Sequence, residues 1–333
     1  MGGLAGRPAW LITDGKIGMD VQVKGVADAL RLDYQLKHVA PRQPFRLLSP
    51  YGPVDPRERL GKPGAQFEPP YPDVLMATGR LSIPYFRAVF RKAGLRTFGV
   101  VLQDPKTGPR TADVIWVPEH DKLRGPNVIT TLTAPHSFSQ ARLAELRVHM
   151  PAEIAALPPR RVALILGGPS GAYSFGGEAI GRFAASLERL ASDTTSFLVT
   201  ASRRTPPALL AAVMQAVSGR PSIVWDGTGP NPYPDFLAHA DVLIVTADSV
   251  NMTGEACATG RPVYVFEPGR GSAKFARFHA ALRRHGATRA LPETLSRIEH
   301  WTYPPLDSAY DIAAEIERRW LARKAILPGL MPA

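Results

Sequence analysis

The chain has 333 residues, 45% of them hydrophobic, and its 40 Lys and Arg against 29 Asp and Glu give a formal net charge of +11. This length predicts about two domains with separate cores, and the single cysteine, Cys257, excludes an internal disulfide. No signal-peptide pattern and no run of roughly 18 apolar residues is present, so we expect a cytoplasmic protein, or one peripheral on the cytosolic face of a membrane. The positive charge fits ordinary solubility or an anionic partner, but no nucleic-acid signature accompanies it, so we expect no nucleic acid.

The first half of the chain alternates between strand and helix patterns. Residues 41–72 are rich in proline and irregular, and loops of this length are usually functional or mobile. A linker, "ALPPRR", predicts a boundary between a domain of residues 1–154 and a second of residues 155–305. Apolar runs predict strands at 9–13, 34–39, 73–79, 96–103, 112–118 and 127–133, and helical spacing predicts helices after residue 18, at 83–94 and around 141–150.

The second half repeats this alternation. A last helix, 306–326, places Ile312, Ile316 and Trp320 on one stripe and could pack back on the first domain. Near-continuous apolar strands alternating with helices indicate parallel sheets that are covered on both faces. We therefore expect an α/β fold of two doubly wound, Rossmann-like domains that face a cleft. The predicted strands are 161–168, 196–202, 222–227 and 241–248, and the predicted helices are 177–191, 206–217 and 234–240.

Two turns follow predicted strands of the second half, where parallel sheets bind ligands. The first, "GGPSGAYSFGG", either presents backbone amides to an anion or is only a tight turn between strand and helix. It lacks the Lys-Ser/Thr of a P-loop. The second turn is "TASRRTPP". Its arginine side chains suit phosphate, but arginines are also common in solvated loops. The candidate residues of these turns are Gly167, Gly168, Ser170, Gly171, Ser202, Arg203 and Arg204.

A third turn, "TADSVNMTGEA", begins a helix with small polar residues. Ser249 and Asn251 lie where free amides and the helix dipole can bind phosphate. Glu255 projects about one and a half turns further on, at a distance that suits a ribose diol; the alternative is an exposed helix charge. Asp248 either joins this site or simply caps the helix. Cys257 is expected to pack rather than react, because small residues surround it.

The first half offers an acceptor-side turn, "TDGKIG", at another helix start. Asp14 could be a general base that deprotonates a hydroxyl, or a helix cap. Gly15, Lys16 and Gln22 would bind the anion or acceptor beside it. No pair of side chains has a recognised metal-ligand spacing, so a metal is not expected. Arg80 lies in a further strand-end loop, and Asp104, His120, Asp121 and His136 could converge on one cleft.

The combined motifs resemble the mitochondrial-fission ELM-type family. They are "LITDGKIGMDVQVKGVADAL", "ATGR", "LQDPK", "VPEHDKLRGPNVITTLTAPH", "LILGGPSGAYSF" and "VTADSVNMTGEACATGRPVYVFE", spread over residues 11–267. The high Arg, Ala and Pro content favours a bacterial member. More remotely, the chain is similar to GT-B glycosyltransferases with lipid acceptors. This resemblance implies a nucleotide-sugar in the C-terminal domain, with Ser249 on its phosphates and Glu255 on its ribose, and an acceptor near Asp14, Gly15 and Lys16.

The resulting hypothesis is a metal-independent glycosyltransferase without a cofactor, in which amides around Gly168 and Ser249 stabilise the leaving diphosphate. A non-catalytic adaptor that recruits a protein or membrane, and a sugar-nucleotide epimerase or hydrolase, remain alternatives. The expected residues are Asp14 and His120 for catalysis; Gly167, Gly168, Ser170, Gly171, Ser202, Arg203, Asp248, Ser249, Asn251 and Glu255 for the donor; and Gly15, Lys16, Gln22, Arg80 and Asp104 for the acceptor.

The irregular segment also suggests a membrane contact. Phe45, Leu47, Leu48 and Tyr51 lie beside Arg42 and Arg46, and a basic helix, "YFRAVFRKAGLR", follows. Such a mixture could dock on an anionic membrane, or it could be a structured loop with ordinary surface arginines.

Overall fold

The computed structural model describes residues 3–190, 195–225, 227–293 and 298–327. They form two compact units. Unit 1 comprises residues 3–137 and 307–327, and unit 2 the described part of 138–306. Each unit contains one six-stranded sheet in which all neighbouring strands are parallel, which confirms the predicted α/β class.

Unit 1 has the strand order β2-β1-β3-β4-β5-β6. The last helix of the chain belongs to this unit. Its strands are β1 (Pro8–Thr13), β2 (Asp33–His38), β3 (Val74–Thr78), β4 (Phe98–Leu102), β5 (Val114–Pro118) and β6 (Val128–Thr131), and its helices are α1 (Ile17–Ala29), α2 (Phe45–Leu48), α3 (Ile83–Ala93) and α11 (Ser308–Ile326).

Unit 2 has the strand order β12-β11-β10-β7-β8-β9. Its strands are β7 (Arg161–Leu166), β8 (Ser196–Ala201), β9 (Ser222–Trp225), β10 (Val242–Thr246), β11 (Val263–Phe266) and β12 (Thr288–Ala290), and its helices are α4 (Gln140–Val148), α5 (Ala152–Ala155), α6 (Gly177–Leu190), α7 (Pro207–Ala216), α8 (Tyr233–His239), α9 (Val250–Ala258) and α10 (Ala273–His285). The predicted helix end at Ala191 and the predicted strand position Asp226 lie outside the described residues.

The strands of unit 1 are apolar throughout because both faces of the sheet are covered. Along β1, Leu11 packs into a core with α1 and α11, whereas Trp10 and Ile12 pack on the opposite face with α3. Successive strand side chains point to opposite faces, so one run of residues supplies two cores.

The chain reverses its direction of travel across each sheet at one place. In unit 1 the chain moves from β1 to β2 and then returns to place β3 on the other side of β1. In unit 2 it moves through β7, β8 and β9 and then places β10 on the other side of β7. Open α/β sheets bind ligands at such switch points, beyond the carboxyl ends of the strands. The turns after β1 and β3, and after β7 and β10, therefore lie at the switch points of the two sheets.

Helix α11 packs within unit 1, against α1 and β6. Its stripe of Ile312, Ile316 and Trp320 is buried in the same core as Leu11 and Val23. The N-terminus contacts it as well, because Glu317 Oε1 accepts a hydrogen bond of 2.8 Å from the Gly3 N–H. The final segment thus completes a core that was built mostly from the first 137 residues.

The units divide after Ser137, earlier than the boundary predicted near residue 155. Helix α4 follows the division and packs on α8. Its Gln140 side chain donates to the Ala258 carbonyl at 2.9 Å, and Arg147 donates to the carbonyls of Ala238 and Thr259 at 3.2 and 2.8 Å. The "ALPPRR" linker therefore joins two elements of unit 2 rather than two domains.

Among the described residues, no helix combines the length and the apolar character needed to cross a bilayer.

Candidate functional site

The turn after β7 is closed by residues from β10 and the turn that follows it. The Gly167 N–H donates to Thr246 Oγ1 at 2.8 Å, and the Gly168 N–H donates to Asp248 Oδ2 at 3.0 Å. Thr246 Oγ1 in turn donates to Asp248 Oδ1 at 2.7 Å. This corrects one expectation, because the amides of Gly167 and Gly168 are engaged within the protein rather than presented to an anion.

Positions 167 and 168 require glycine because atoms of neighbouring segments lie too close for a side chain. A Cβ on Gly168 would lie 1.9 Å from the Arg204 carbonyl oxygen, and one on Gly167 would lie 2.2 Å from Asp248 Oδ1. A Cβ on Gly171 would meet open space. The first two glycines therefore let three segments converge, whereas Gly171 lies at an open part of the loop.

Asp248 is the centre of this arrangement. Its side chain is fully buried, and besides the two contacts above it accepts a hydrogen bond from Arg204 Nη2 at 3.1 Å. Arg204 also donates to the carbonyls of Gly168 and Pro169 at 3.3 and 3.0 Å while remaining 48% exposed. Asp248 was expected to contact the donor; instead its buried charge is balanced by an arginine and holds the turn.

The turn after β8 lies at the same edge of the sheet as the turns after β7 and β10. Ser202 Oγ accepts the Arg204 N–H at 3.2 Å, and the Thr205 hydroxyl lies 2.8 Å from the Gly167 carbonyl, to which it donates. The side chain of Arg203 is exposed and makes no ion pair within the described part of the chain. No described carboxylate therefore offsets Arg203 at this edge.

Helix α9 begins at the same edge. Ser249 is its N-cap, and its Oγ accepts the Met252 N–H at 3.3 Å. Asn251 lies in the first turn, half-buried. The amides of a first helical turn have no acceptor inside the helix, and the dipole makes this end positive. The predicted helix start is confirmed, and it can attract an anion.

Glu255 lies in the second turn of α9 and is only 8% exposed. The Tyr233 hydroxyl donates to Oε2 at 2.6 Å, and Phe138 packs edge-on against the tyrosine ring at 5.8 Å between centroids. Burial raises the pKa of Glu255 to about 7, and the Tyr233 hydrogen bond opposes this increase. Glu255 is thus not the exposed helix charge that was the alternative. Cys257 is fully buried, with its pKa raised by burial.

The rest of the glycine-rich loop is held by a second loop. Ser170 Oγ accepts the N–H groups of Ala172 and Tyr173, both at 3.2 Å. The Gly271 N–H donates to the Ala172 carbonyl at 2.7 Å, and the Ser174 N–H donates to the Gly269 carbonyl at 3.2 Å. Ser170 therefore shapes the loop in this structure.

In unit 1, the turn after β1 holds a buried carboxylate. The Asp14 side chain is 3% exposed, and Lys16 Nζ contacts its Oδ2. Its Oδ1 is buried and accepts no hydrogen bond from any described residue. Gly79, at the end of β3, approaches this carboxylate, since a Cβ there would lie 3.6 Å from Asp14 Oδ1. Asp14 thus lies at the switch point of unit 1 with one oxygen available.

A polar relay supports the Asp14 turn. The Gly15 N–H donates to Thr13 Oγ1 at 3.1 Å, and Thr13 donates to Asp20 Oδ1 at 2.5 Å. His38 Nε2 lies 2.9 Å from Asp20 Oδ2. Gly15 has a positive φ of 74°, a conformation that glycine adopts most easily. Thr13, Asp20 and His38 were not among the residues expected here, because their side chains meet only when α1 and β2 pack beside β1.

Two acceptor-side candidates join the turn after β4. Gln103 has a positive φ of 76°, and its Nε2 donates to Gln22 Oε1 at 2.9 Å. Asp104 accepts from the Lys106 N–H and from its Nζ, both at 2.8 Å. Gln103 thereby links α1 to β4, a contact that sequence alone did not reveal.

The remaining first-half candidates are spread out. Arg80 donates to the carbonyls of Leu47 and Ser49, so it anchors the segment around α2. His120 is buried after β5, three strands from β1 in the sheet, which is about 14 Å at the usual strand spacing. The His136 carbonyl faces Gly25 of α1. Within the described ranges, no group of three His, Cys, Asp or Glu side chains could hold a metal ion.

With this geometry established, comparison with known proteins identifies the family. The model of the family "Mitochondrial fission ELM1" matches residues 17–320. The chain belongs to this family.

Two curated relatives place the ELM1 family match in context. A mitochondrial fission protein ELM1 of Arabidopsis thaliana is 30% identical over 281 residues, which cover 77% of this chain and 66% of that protein. An uncharacterized protein of Rickettsia prowazekii (strain Madrid E) is 31% identical over 186 residues, 54% of this chain and 51% of that one. The chain thus spans less than two thirds of the length of these relatives.

Solved structures identify the fold as GT-B-like. A UDP-GlcNAc 2-epimerase of Methanocaldococcus jannaschii matches with a TM-score of 0.55 at 11% identity, covering 93% of this ELM1-family chain and 99% of that one. A UDP-GlcNAc 2-epimerase of Neisseria meningitidis, bound to UDP-GlcNAc, has a TM-score of 0.51 at 13% identity and covers 94% and 100%. A UDP-glucosyltransferase of Polygonum tinctorium also has 0.51, at 12% identity, and covers 98% and 96%.

Proposed function

We propose that the protein is a GT-B-type glycosyltransferase that transfers a sugar from a nucleotide-sugar to a membrane-linked or envelope acceptor, at the cytosolic face of a membrane. The observation that carries the proposal is the edge of unit 2. There, α9 begins at the same edge of the sheet as the turn that carries the exposed Arg203, and the same helix carries the buried Glu255 in its second turn. One helix thus offers a site for an anion and a site for a diol.

The diphosphate would bind the first turn of α9. Its charge would be met by the helix dipole and by Arg203, while Arg204 is already partly neutralised by Asp248. This differs in part from the sequence-based hypothesis, in which the amides around both Gly168 and Ser249 stabilised the diphosphate. Those glycines and Asp248 instead fix the turn that lies next to the helix start. The leaving group is then stabilised by fixed dipoles, which need no reorganisation during the reaction.

The ribose would bind Glu255. Tyr233 occupies Oε2, and no other described residue donates a hydrogen bond to the carboxylate, so Oε1 is the atom for a ribose hydroxyl. A hydroxyl donor favours the ionised form of Glu255, which burial disfavours in the free protein. Nucleotide binding should therefore lower the pKa of Glu255.

Asp14 would act as the acceptor-side base. In the proposed reaction the acceptor hydroxyl oxygen forms a bond to the anomeric carbon of the sugar, the bond from that carbon to the diphosphate breaks, and the hydroxyl proton passes to Asp14 Oδ1. That oxygen is buried and accepts no hydrogen bond from the described residues, as a base awaiting a hydroxyl would be. Lys16 and the relay through Thr13 would hold the carboxylate in place.

The structural neighbours support a uridine diphosphate sugar as the donor. Two of them are named for UDP-GlcNAc, and a third is a UDP-glucosyltransferase. The two epimerase titles also favour a second candidate, a sugar-nucleotide epimerase. The two activities differ in one measurable way, because an epimerase consumes its donor when no acceptor is present.

The test is thermal stabilisation by a panel of nucleoside diphosphates and their sugars. A ligand at 100 times its Kd should stabilise the protein by about 2.7 kcal/mol, and Glu255→Ala should remove most of this effect. The matched control is Glu178→Ala, an exposed glutamate in the first turn of α6, which should retain the full shift.

The outcomes separate the candidates. A shift with uridine ligands that is lost in Glu255→Ala supports nucleotide-sugar binding. Donor consumption without an acceptor, measured on the ligands that bind, would favour the epimerase. A flat panel at millimolar ligand would contradict both activities and favour a non-catalytic adaptor.

A further inference from the structure

Unit 1 contains a cavity on the outer side of α3. Its volume is about 340 Å³, and it is bounded by α3 and by the segment from Tyr51 to Leu60. Val54, Leu60 and Pro84 form its apolar part, and both Val54 and Leu60 also pack against the core of the sheet. Its charged wall consists of Arg87, Arg91 and Lys92. The cavity therefore combines an apolar base with three cations.

Helix α3 gives this cavity a net positive charge, because the facing segment 51–60 is formally neutral, with Asp55 and Glu58 against Arg57 and Arg59. Residues 83–96 contain four Lys and Arg and no Asp or Glu. Arg87 donates to the carbonyls of Pro50 and Tyr51, which carry no charge, at 3.4 Å each. Arg91 and Lys92 are exposed, and neither forms an ion pair with any residue that the structure describes. The cavity thus faces solvent with unpaired positive charge, which attracts an anion.

The contribution of Arg42 differs from the sequence expectation. It forms a bidentate pair with Asp55, with Nε and Nη2 at 2.8 and 2.6 Å from the two carboxylate oxygens. This pair lowers the pKa of Asp55 to about 2, so both partners are charged and cancel each other. Arg42 is therefore not available to a partner, whereas the cations of α3 that line the cavity are.

An exposed apolar group adjoins the cavity. Leu47 is 74% exposed and Tyr51 67% exposed, and Leu48 between them is also exposed. They are held in place rather than loose, because Arg80 donates to the carbonyls of Leu47 and Ser49. The N–H groups of Tyr51 and Gly52 also donate to the Leu48 carbonyl, at 3.0 and 2.9 Å.

We propose that this surface docks the protein on an anionic lipid bilayer. The phosphate of one headgroup enters the cavity against Arg87, Arg91 and Lys92, and Leu47, Leu48 and Tyr51 insert at the level of the acyl boundary. Cations beside exposed apolar side chains are the combination that binds anionic membranes, where each Lys or Arg contributes about 1 kcal/mol. A soluble anion would use the cations but would leave the three large apolar side chains unexplained.

The surface would also place the bilayer next to the acceptor-side turn. Arg80 holds the apolar segment, and it directly follows Gly79, which approaches Asp14. The proposal deepens the membrane location given in the proposed function by naming the docking surface, and it does not depend on glycosyl transfer, because membrane binding can be measured without a nucleotide.

The experiment is flotation of the full chain with phosphatidylcholine vesicles, prepared with and without phosphatidylglycerol. Arg91→Gln combined with Lys92→Gln should lower partition onto the anionic vesicles about 30-fold, which corresponds to about 2 kcal/mol at roughly 1 kcal/mol for each cation. The charge-matched control combines Arg110→Gln with Arg284→Gln, two exposed arginines elsewhere, and should retain nearly all binding.

A second pair tests the apolar part. Leu47→Ser with Leu48→Ser should weaken binding to the same vesicles at least tenfold, whereas Val148→Ser with Met150→Ser, also exposed, should not. Unchanged melting temperatures would show that all variants are folded.

Three results would overturn the proposal. They are equal binding to neutral and anionic vesicles, equal losses in test and control variants, and an absence of flotation by the wild-type chain. If wild-type protein does not float but inorganic phosphate raises its melting temperature, and the Arg91 and Lys92 variant loses that shift, the cavity takes free phosphate instead. Failure of the nucleotide panel would leave these results unaffected.

Discussion

Glu255 shows how one residue can combine a structural cost with a binding role. Its carboxyl group is buried in α9, and among the described residues the Tyr233 hydroxyl alone donates a hydrogen bond to it. Burial disfavours the charged form and raises the pKa from 4.5 to about 7. A carboxyl group that is half ionised near neutral pH is unusual in a purely structural position. Its raised pKa can be tested directly through the pH dependence of stability.

The raised pKa predicts a specific dependence of stability on pH. Below pH 4.5 Glu255 is protonated in both the folded and the unfolded states. Between pH 4.5 and about 7 the folded protein keeps a proton that the unfolded chain releases, so stability falls as the pH rises. The loss attributable to this group should reach about 3 kcal/mol above pH 7.

Glu255→Gln should remove this dependence, because glutamine does not titrate. The measurement is urea unfolding of the wild type and Glu255→Gln at several pH values, with Glu178→Gln as the exposed control. Between pH 4.5 and 7 the wild type should lose stability relative to Glu255→Gln, and the control should follow the wild type. A constant difference between wild type and Glu255→Gln across this window would contradict the raised pKa.

Residues that depend on local pattern were predictable from sequence, and those that depend on distant partners were not. Ser249 was identified as a helix start, and Asp14 as a strand-end carboxylate, because each follows an apolar strand. The engagement of the Gly168 N–H was missed because its acceptor, Asp248, lies 80 residues away. Tyr233 was missed for the same reason, since only the pairing of folded elements brings it to Glu255.

At the scale of elements, helix boundaries coincide with local sequence signals, whereas the packing partners of helices cannot be deduced from such signals. α10 was not predicted, although Ser272 caps its start and Gly286 ends it with a positive φ of 82°. Both are ordinary helix signals, so α10 was predictable from the sequence. The packing partner of α4 was not predictable in this way. Helix α4 packs on α8 rather than within unit 1, and this depends on surfaces that no local sequence pattern describes.

Helix α11 should be an essential part of unit 1. Trp320 is 1% exposed and packs in the core that α1 and β1 share, and the Arg7 guanidinium lies 5.1 Å from its ring centroid. Truncating a buried aromatic side chain costs about 3 to 5 kcal/mol, so Trp320→Ala should destabilise unit 1 by that amount. Urea unfolding followed by far-UV circular dichroism measures the change.

The control for this substitution lies on the same helix. Tyr310 is a large aromatic residue that is 51% exposed, and Tyr310→Ala should change stability by less than about 1 kcal/mol. Similar effects of Trp320→Ala and Tyr310→Ala would mean that α11 is not part of the core.

At the scale of the whole molecule, the two sheets obey the same rule. Each is a parallel sheet whose strand order reverses once, and the two candidate turns lie at those reversals. In unit 1 the reversal brings Gly79 to Asp14, and in unit 2 it brings Gly168 to Asp248. The α/β class was predictable from alternating apolar strands and helices, whereas the strand order, which decides where the turns meet, is visible only in the folded chain.

Separate cores predict that ligand binding protects one unit more than the other. Unit 1 and unit 2 each have their own sheet and their own buried clusters. A nucleoside diphosphate bound at α9 stabilises only the states in which unit 2 is folded, so at 100 times its Kd it should slow exchange of core amides in β7 and β10 about 100-fold. Hydrogen exchange measured by peptide mass spectrometry, with and without uridine diphosphate, reports both units in one experiment. Amides of β1 and β3 should change little, because their opening does not require the nucleotide site to unfold. Equal slowing in both units would instead show that they unfold as one cooperative body, and slowing confined to unit 1 would contradict the assignment of the nucleotide site to α9.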